Sequence, residues 1–222
     1  MLSIERCVYA MPKVIPFYGA NDPAMFAIER RCMDRDGTLI RRIDDLLPDG
    51  LVLDVGAGDG FTAQQLTRPG RTVIALEPAL GMIRRDRKLP WIRAGAPDLP
   101  IADNSMAGAY ATWAYFFAGL TGVDAGLDAL DRAVKPGGSI VIADNGGEDE
   151  FLGLAPNPPA FASDHDWWRE RGFSVEIVPT VFRFDSLAEA QTLLGFYFGE
   201  RGRANEKLEL SYNVAIYRRE AR

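Results

Sequence analysis

The residues with the most chemistry to offer lie in LVLDVGAGDGFTAQQL, residues 51 to 66. An apolar run ends on Asp54, turns through Gly56-Ala57-Gly58-Asp59-Gly60, and resumes as a segment of helical propensity that stops at Pro69-Gly70. Read as strand, tight loop and helix, this is a junction where glycines let a ligand approach the backbone without Cβ interference. The first N–H groups of the helix face the same gap. The spacing is G-x-G-x-G, unlike the G-x-G-x-x-G of a dinucleotide site, and the acid two positions before Gly56 suits a ligand with a positive group better than a pyrophosphate. Glu77 ends the next apolar run, where a carboxylate can accept hydrogen bonds from both hydroxyls of a ribose. The single histidine, His165 in SDHDWW, is the candidate catalytic residue. It could take a proton from a hydroxyl or amine acceptor; the other reading is a surface histidine opening a helix.

These groups need a scaffold that gathers strand ends. After the glycine loop, Thr72–Leu76 reads as a second strand and 79 to 87 as a short helix. Leu89–Ala94 and Ala109–Thr112 are the third and fourth strand candidates. Asp124–Val134 places Leu127, Leu130 and Val134 on one helical face, stopped by Pro136-Gly137-Gly138, and Ser139–Ala143 is a fifth strand. This β-α-β rhythm predicts an α/β fold with a Rossmann-like, doubly wound, mostly parallel sheet and helices on both faces. Asp164–Arg171 reads as helical, Phe173–Ile177 as a strand, Ser186-x-x-Glu189 as a capping box opening a helix to about Glu200, and Leu208–Ile216 as a strand of period two. The two late strands suggest an antiparallel addition to the sheet, with an antiparallel C-terminal strand. Upstream, Pro12, Pro16 and Pro23 predict an irregular arm bearing Tyr9, Phe17 and Tyr18, and 24 to 47 one broken helix or two short ones.

Four stretches in this order resemble the class I S-adenosylmethionine-dependent methyltransferases, in particular the ubiquinone and menaquinone biosynthesis enzymes. Asp54-Val55-Gly56-Ala57-Gly58 is similar to their D-x-G-x-G motif, with Glu77 following the second strand. AGAPDLPIADNSMAG, 94 to 108, resembles G-D-A-x-x-L-P-F-x-D-x-S-F-D through Ala96, Leu99, Pro100, Asp103 and Ser105, and AVKPGGSIVIAD, 133 to 144, their L-K-P-G-G turn and strand. The resemblance implies S-adenosyl-L-methionine as cofactor, held by Asp54, Gly56, Ala57, Gly58, Glu77, Pro78, Ala96, Pro97 and Thr112. It implies methyl transfer to a small molecule. Gly95 stands where many relatives carry an acid that meets the adenine amino group, and Ala107 replaces another acid, so the adenine would be flanked by the backbone of Ala96 and Pro97.

The acceptor is expected past the fourth and fifth strands. Trp113, Tyr115, Phe116 and Phe117, then Phe151, Phe161, Trp167 and Trp168, could wall a site for a flat or greasy molecule, and core packing is the competing use of the same rings. The 144 to 170 loop, the 186 to 200 helix and the N-terminal arm are candidate covers. At 222 residues the chain suits one well-filled domain, 1 to 222. A net charge of −6 argues against a nucleic-acid partner. No apolar run suits a membrane span, and Glu5 and Arg6 interrupt what a signal peptide would need, so a cytoplasmic monomer or homodimer is expected. Two cysteines and one histidine exclude a structural zinc site, and no metal is expected. Two other readings compete: a nicotinamide-dependent oxidoreductase, disfavoured by the glycine spacing, and a cofactor-binding protein that has lost transfer.

Overall fold

Short β-branched and leucine-rich segments separated by helical ones can bury both faces of a sheet only by winding helices on each side. The computed structural model describes residue 19 and residues 21–155 and 164–222, and shows this arrangement. Seven strands form one sheet: β1 (Gly50–Val55), β2 (Arg71–Leu76), β3 (Trp91–Ile92), β4 (Met106–Thr112), β5 (Val134–Asn145), β6 (Ser174–Arg183) and β7 (Glu209–Glu220). Their order is β3-β2-β1-β4-β5-β7-β6, with β1 to β5 parallel and β7 antiparallel to both neighbours. The direction of the chain reverses across β1, so the loops after β1 and β4 diverge and leave a crevice at the strand ends.

Alternate residues of each strand feed two cores. Val52, Val73, Tyr110, Val141 and Val214 face one side, beneath α1 (Pro23–Cys32), α2 (Thr38–Leu46), α3 (Phe61–Leu66) and α7 (Leu187–Phe198). Leu53, Ala109, Ile140 and Ala215 face the other, beneath α4 (Val123–Ala133) and α6 (His165–Glu170). Two one-turn helices, α5 (Glu150–Gly153) and α8 (Glu200–Arg203), and a 3-10 turn at Ala96–Asp98 are also present. Arg71 shows how the site side is braced. Its fully buried guanidinium donates to the carbonyls of Asp44, at 3.0 Å, and Pro48, at 2.8 Å, and pairs with the Asp44 carboxylate, so it caps α2 and fixes it to the start of β2.

Two expectations change. Residues 79 to 87 form turns, not a helix: Arg84-Arg85-Asp86-Arg87-Lys88 has no apolar stripe to bury. The third strand shrinks to Trp91–Ile92 at the sheet edge, with prolines at 78 and 90 limiting its ladder. The expected antiparallel C-terminal strand is β7; β6 pairs with it in antiparallel fashion and therefore runs with β5. The region 24 to 47 is two helices, broken where Gly37 takes φ 68° and Asp34 accepts from the N–H groups of Leu39 and Ile40. The arm bearing Tyr9, Phe17 and Tyr18, together with Phe161 in the long loop, lies outside the described residues.

Candidate functional site

The strand ends of β1, β2 and β4 open on a cleft of about 960 Å³. Eight of the nine residues expected to hold a cofactor line it: Gly56, Ala57, Gly58, Glu77, Pro78, Ala96, Pro97 and Thr112. The ninth, Asp54, lies just beneath, 1% exposed. The glycine loop is a left-handed turn, with φ 78° at Gly56, 57° at Gly58 and 76° at Gly60. Gly56 is also pressed against the loop after β4, since a Cβ there would lie 2.3 Å from that of Ala114. Gly58 is different: a Cβ would find only Met82 and Phe26, at 3.6 and 3.9 Å, so its bare face is turned to the cleft.

Glu77 ties two sides of this turn together. One carboxylate oxygen accepts from the Gly58 N–H at 2.9 Å and the other from the Ala79 N–H at 2.8 Å. Burial pushes its pKa up, with these two N–H groups pulling the other way. Each oxygen keeps a lone pair for a ligand hydroxyl. Asp54 accepts from the Tyr110 hydroxyl at 2.8 Å through Oδ2, while Oδ1 is buried with no partner among the described residues. Full burial raises its pKa to about 7, against the stabilising Tyr110 bond, and the nearby Glu77 charge adds to the rise. An orphaned buried carboxylate oxygen beside an open glycine turn is what a ligand cation or its water would satisfy.

The segment after β4 is strained. Trp113 and Tyr115 both take left-handed φ, 47° and 49°, which costs of order 1–2 kcal/mol each and recurs at ligand sites. Trp113 is held there by its indole N–H, donating to the Tyr212 hydroxyl at 2.8 Å, and Tyr212 donates on to Asn145 at 2.7 Å. Trp113, Tyr115 and Phe117 line the cleft. The other described candidates do not: Phe116 is buried in the core, Phe151 stacks on Phe182 at 4.4 Å, Trp168 stacks on Tyr217 at 4.6 Å, and Trp167 lies under the Arg171 guanidinium. For these rings, packing won.

His165 is not brought to the cleft. It opens α6, behind an Asp164 cap, on the opposite face of the sheet, where its Nδ1 lies 2.9 Å from the Tyr217 hydroxyl. Sequence reading missed the wall facing the glycine turn. Arg30 and Phe26 from α1, Phe61 from α3 and Arg87 from the turns after β2 close on Asp59. The i,i+4 spacing of Phe26 and Arg30 on a helix was the available signal. Among the described residues no group of acids, histidines and cysteines could hold a metal.

Residues 53–142 match the methyltransferase domain family. The matched stretch runs from β1 into β5. It includes Asp54, the glycine turn, Glu77, Ala96 and Thr112. The chain is 38% identical over 106 residues to a demethylmenaquinone methyltransferase of Corynebacterium urealyticum, covering 47% of this chain and 45% of that one. It is 35% identical over 105 residues to the enzyme of that name from Renibacterium salmoninarum, covering 44% and 42%. The chain thus spans less than half the length of the curated relatives it matches. Among solved structures, an S-adenosylmethionine-dependent methyltransferase from Thermotoga maritima superposes with a TM-score of 0.59 at 17% identity, over 92% of this chain and 97% of that one. The cyclase SpnF superposes equally well, at 0.59 and 16% identity, over 92% and 94%. At these identities the structures show the fold, the Rossmann-like sheet of this class, and the sequence match carries the family likeness.

Proposed function

We propose that this chain is an S-adenosylmethionine-dependent methyltransferase acting on a small acceptor with a flat, apolar, quinone-like portion. The observation that carries this reading is the Glu77 bridge. A carboxylate at the end of β2, locked to the Gly58 N–H, is placed to receive two vicinal hydroxyls from a ligand lying along the glycine turn. The residues fit the cofactor in three respects. Gly58 leaves its face open, Asp54 offers an unpartnered oxygen toward the charged end, and Ala96-Pro97 supply an apolar edge for a planar ring. When bound, the cofactor would supply a methyl group already activated by its sulfonium.

The chain's own residues then have modest tasks. Glu77 and the 56 to 60 backbone bind and align, Asp54 meets the amino group through water, and Trp113 offers an aromatic face to the acceptor and to positive charge. Proximity and alignment can supply most of the barrier reduction in such a displacement, and no step is routed through His165. The demethylmenaquinone enzymes named above motivate the quinone-like acceptor, and the apolar cleft wall agrees with it.

Calorimetric titration with S-adenosylmethionine, S-adenosylhomocysteine and NADH in parallel tests the cofactor. Both adenosyl ligands should bind and NADH should not. Glu77→Ala is expected to weaken S-adenosylhomocysteine by on the order of 1.5–3 kcal/mol, the loss of hydrogen bonds to a charged group. Unchanged affinity would refute the ribose assignment. Adenosyl binding without any methylated product from a panel of naphthoquinols would move the chain to the non-transferring alternative.

A further inference from the structure

One hydroxyl in the sheet holds an aromatic wall of the cleft. Trp113 leaves the end of β4 with its backbone N–H on the Ala143 carbonyl of β5, at 2.9 Å, and its φ at 47°, a conformation that a bulky residue keeps only when its surroundings impose it. Its indole crosses β5 to reach β7. There the N–H donates to the Tyr212 hydroxyl at 2.8 Å, and the two rings lie 25° from parallel with centroids 6.3 Å apart. An indole nitrogen can only donate, so the hydroxyl accepts from Trp113 and gives its own proton to Asn145 Oδ1, at 2.7 Å. Tyr212 itself is 2% exposed and does not line the cleft. Burial, with the charge of Asp144 nearby, pushes its pKa well up, so it keeps the proton that this chain of bonds needs. Phe151 and Phe182 pack on its ring, at 5.2 and 5.0 Å.

The residues on either side of Tyr212 hold the segment that follows β5. The Ser211 N–H donates to Glu150 Oε2 at 2.8 Å and the Asn213 N–H to Asp149 Oδ2 at 2.9 Å, while the Asn213 carbonyl accepts from the Gly146 N–H at 2.7 Å. Three consecutive residues of β7 thus set both segments past which the acceptor is expected, the one after β4 and the one after β5. We propose that Tyr212, together with Asn145, is a positioning residue for the acceptor: its hydroxyl fixes the face that Trp113 turns to a flat ring in the cleft, without touching the ligand. This rests on the reading of Trp113 as an acceptor wall. Removing the hydroxyl leaves the indole N–H without its acceptor and frees the strained backbone at Trp113 to relax. The wall then shifts, and the glycine turn and Glu77 stay in place.

Binding of 1,4-dihydroxynaphthalene under argon, to the chain saturated with S-adenosylhomocysteine, tests this in a double-mutant cycle. Tyr212→Phe and Asn145→Ala should each weaken the naphthalene roughly tenfold or more, with S-adenosylhomocysteine affinity within about twofold of the wild type. In a Trp113→Phe background the same Tyr212→Phe change should matter by less than about twofold, because the hydroxyl acts only through the indole. Equal loss in the two backgrounds, or a parallel loss of S-adenosylhomocysteine affinity, would mark Tyr212 as a general brace of the fold and overturn the positioning role. If Tyr212→Phe does not fold, Asn145→Ala combined with Trp113→Phe completes the same cycle. A wild type that binds S-adenosylhomocysteine and not the naphthalene defeats the quinone-like acceptor and the positioning role together. Naphthalene binding that both single variants leave undiminished overturns the positioning role alone.

Discussion

Gly56→Ala is expected to lose adenosyl binding and the larger share of stability, while Gly58→Ala loses binding and only the stability that backbone strain costs. Both positions are left-handed, at φ 78° and 57°, so any side chain adds roughly 1–2 kcal/mol of backbone strain. The difference lies in the surroundings. At Gly56 a Cβ would sit 2.3 Å from the Ala114 Cβ, inside van der Waals contact, and the loop carrying Trp113 and Tyr115 would have to move. Overpacking of that kind adds about 1–3 kcal/mol. At Gly58 the nearest atoms are the flexible end of Met82 and the rim of Phe26, beyond 3.5 Å, so the methyl group occupies open cleft. Urea denaturation combined with S-adenosylhomocysteine titration checks this. Equal destabilisation of the two variants, or full ligand affinity in Gly58→Ala, would contradict the assignment of the turn.

The contrast also shows which parts of the site could be read from the chain. Asp54, the glycines, Glu77 and Ala96 sit at ends of segments whose apolar period is local, so their placement follows from the strand order. Ser186 and Asp164 were legible as helix starts for the same reason, each accepting from the N–H three residues on. The Arg30–Asp59–Arg87 cluster was not. Its members are 29 and 28 residues apart, and nothing in local propensity distinguishes an arginine facing a cleft from one facing water. The aromatics failed in the opposite direction. Phe151, Trp167 and Trp168 follow strand ends in sequence, but large rings go wherever apolar area is buried, and α5 and α6 turn them into the two cores. His165 went with them, since a residue one turn before a buried Trp168 on α6 is carried to that face.

Asp54→Asn should raise stability and weaken the cofactor, with both effects tracking pH. In the unfolded chain Asp54 ionises near pH 4, whereas in the folded protein it keeps its proton to about pH 7. Over that window the native state binds more protons than the unfolded one, so the contribution of Asp54 to stability falls as pH rises and levels off above 7. A shift of about three units sets a ceiling of roughly 4 kcal/mol, and water entry and relaxation reduce the observable part to about 1–3 kcal/mol. Asparagine keeps an oxygen for the Tyr110 hydroxyl and has no charge to bury, so the variant should match the wild type near pH 4 and exceed it above pH 7. Binding moves the other way. A cationic ligand group is attracted to the ionised carboxylate, so wild-type affinity for S-adenosylmethionine should climb through pH 7, and the asparagine variant should bind at least tenfold more weakly and without that climb. Denaturation curves and titrations at pH 5 and 8 decide the matter. A variant no more stable than the wild type at pH 8, or one that binds the cofactor undiminished, would mean that Asp54 is buried for packing alone. The opposite result would show a carboxylate held at a cost to the fold because the ligand needs its charge.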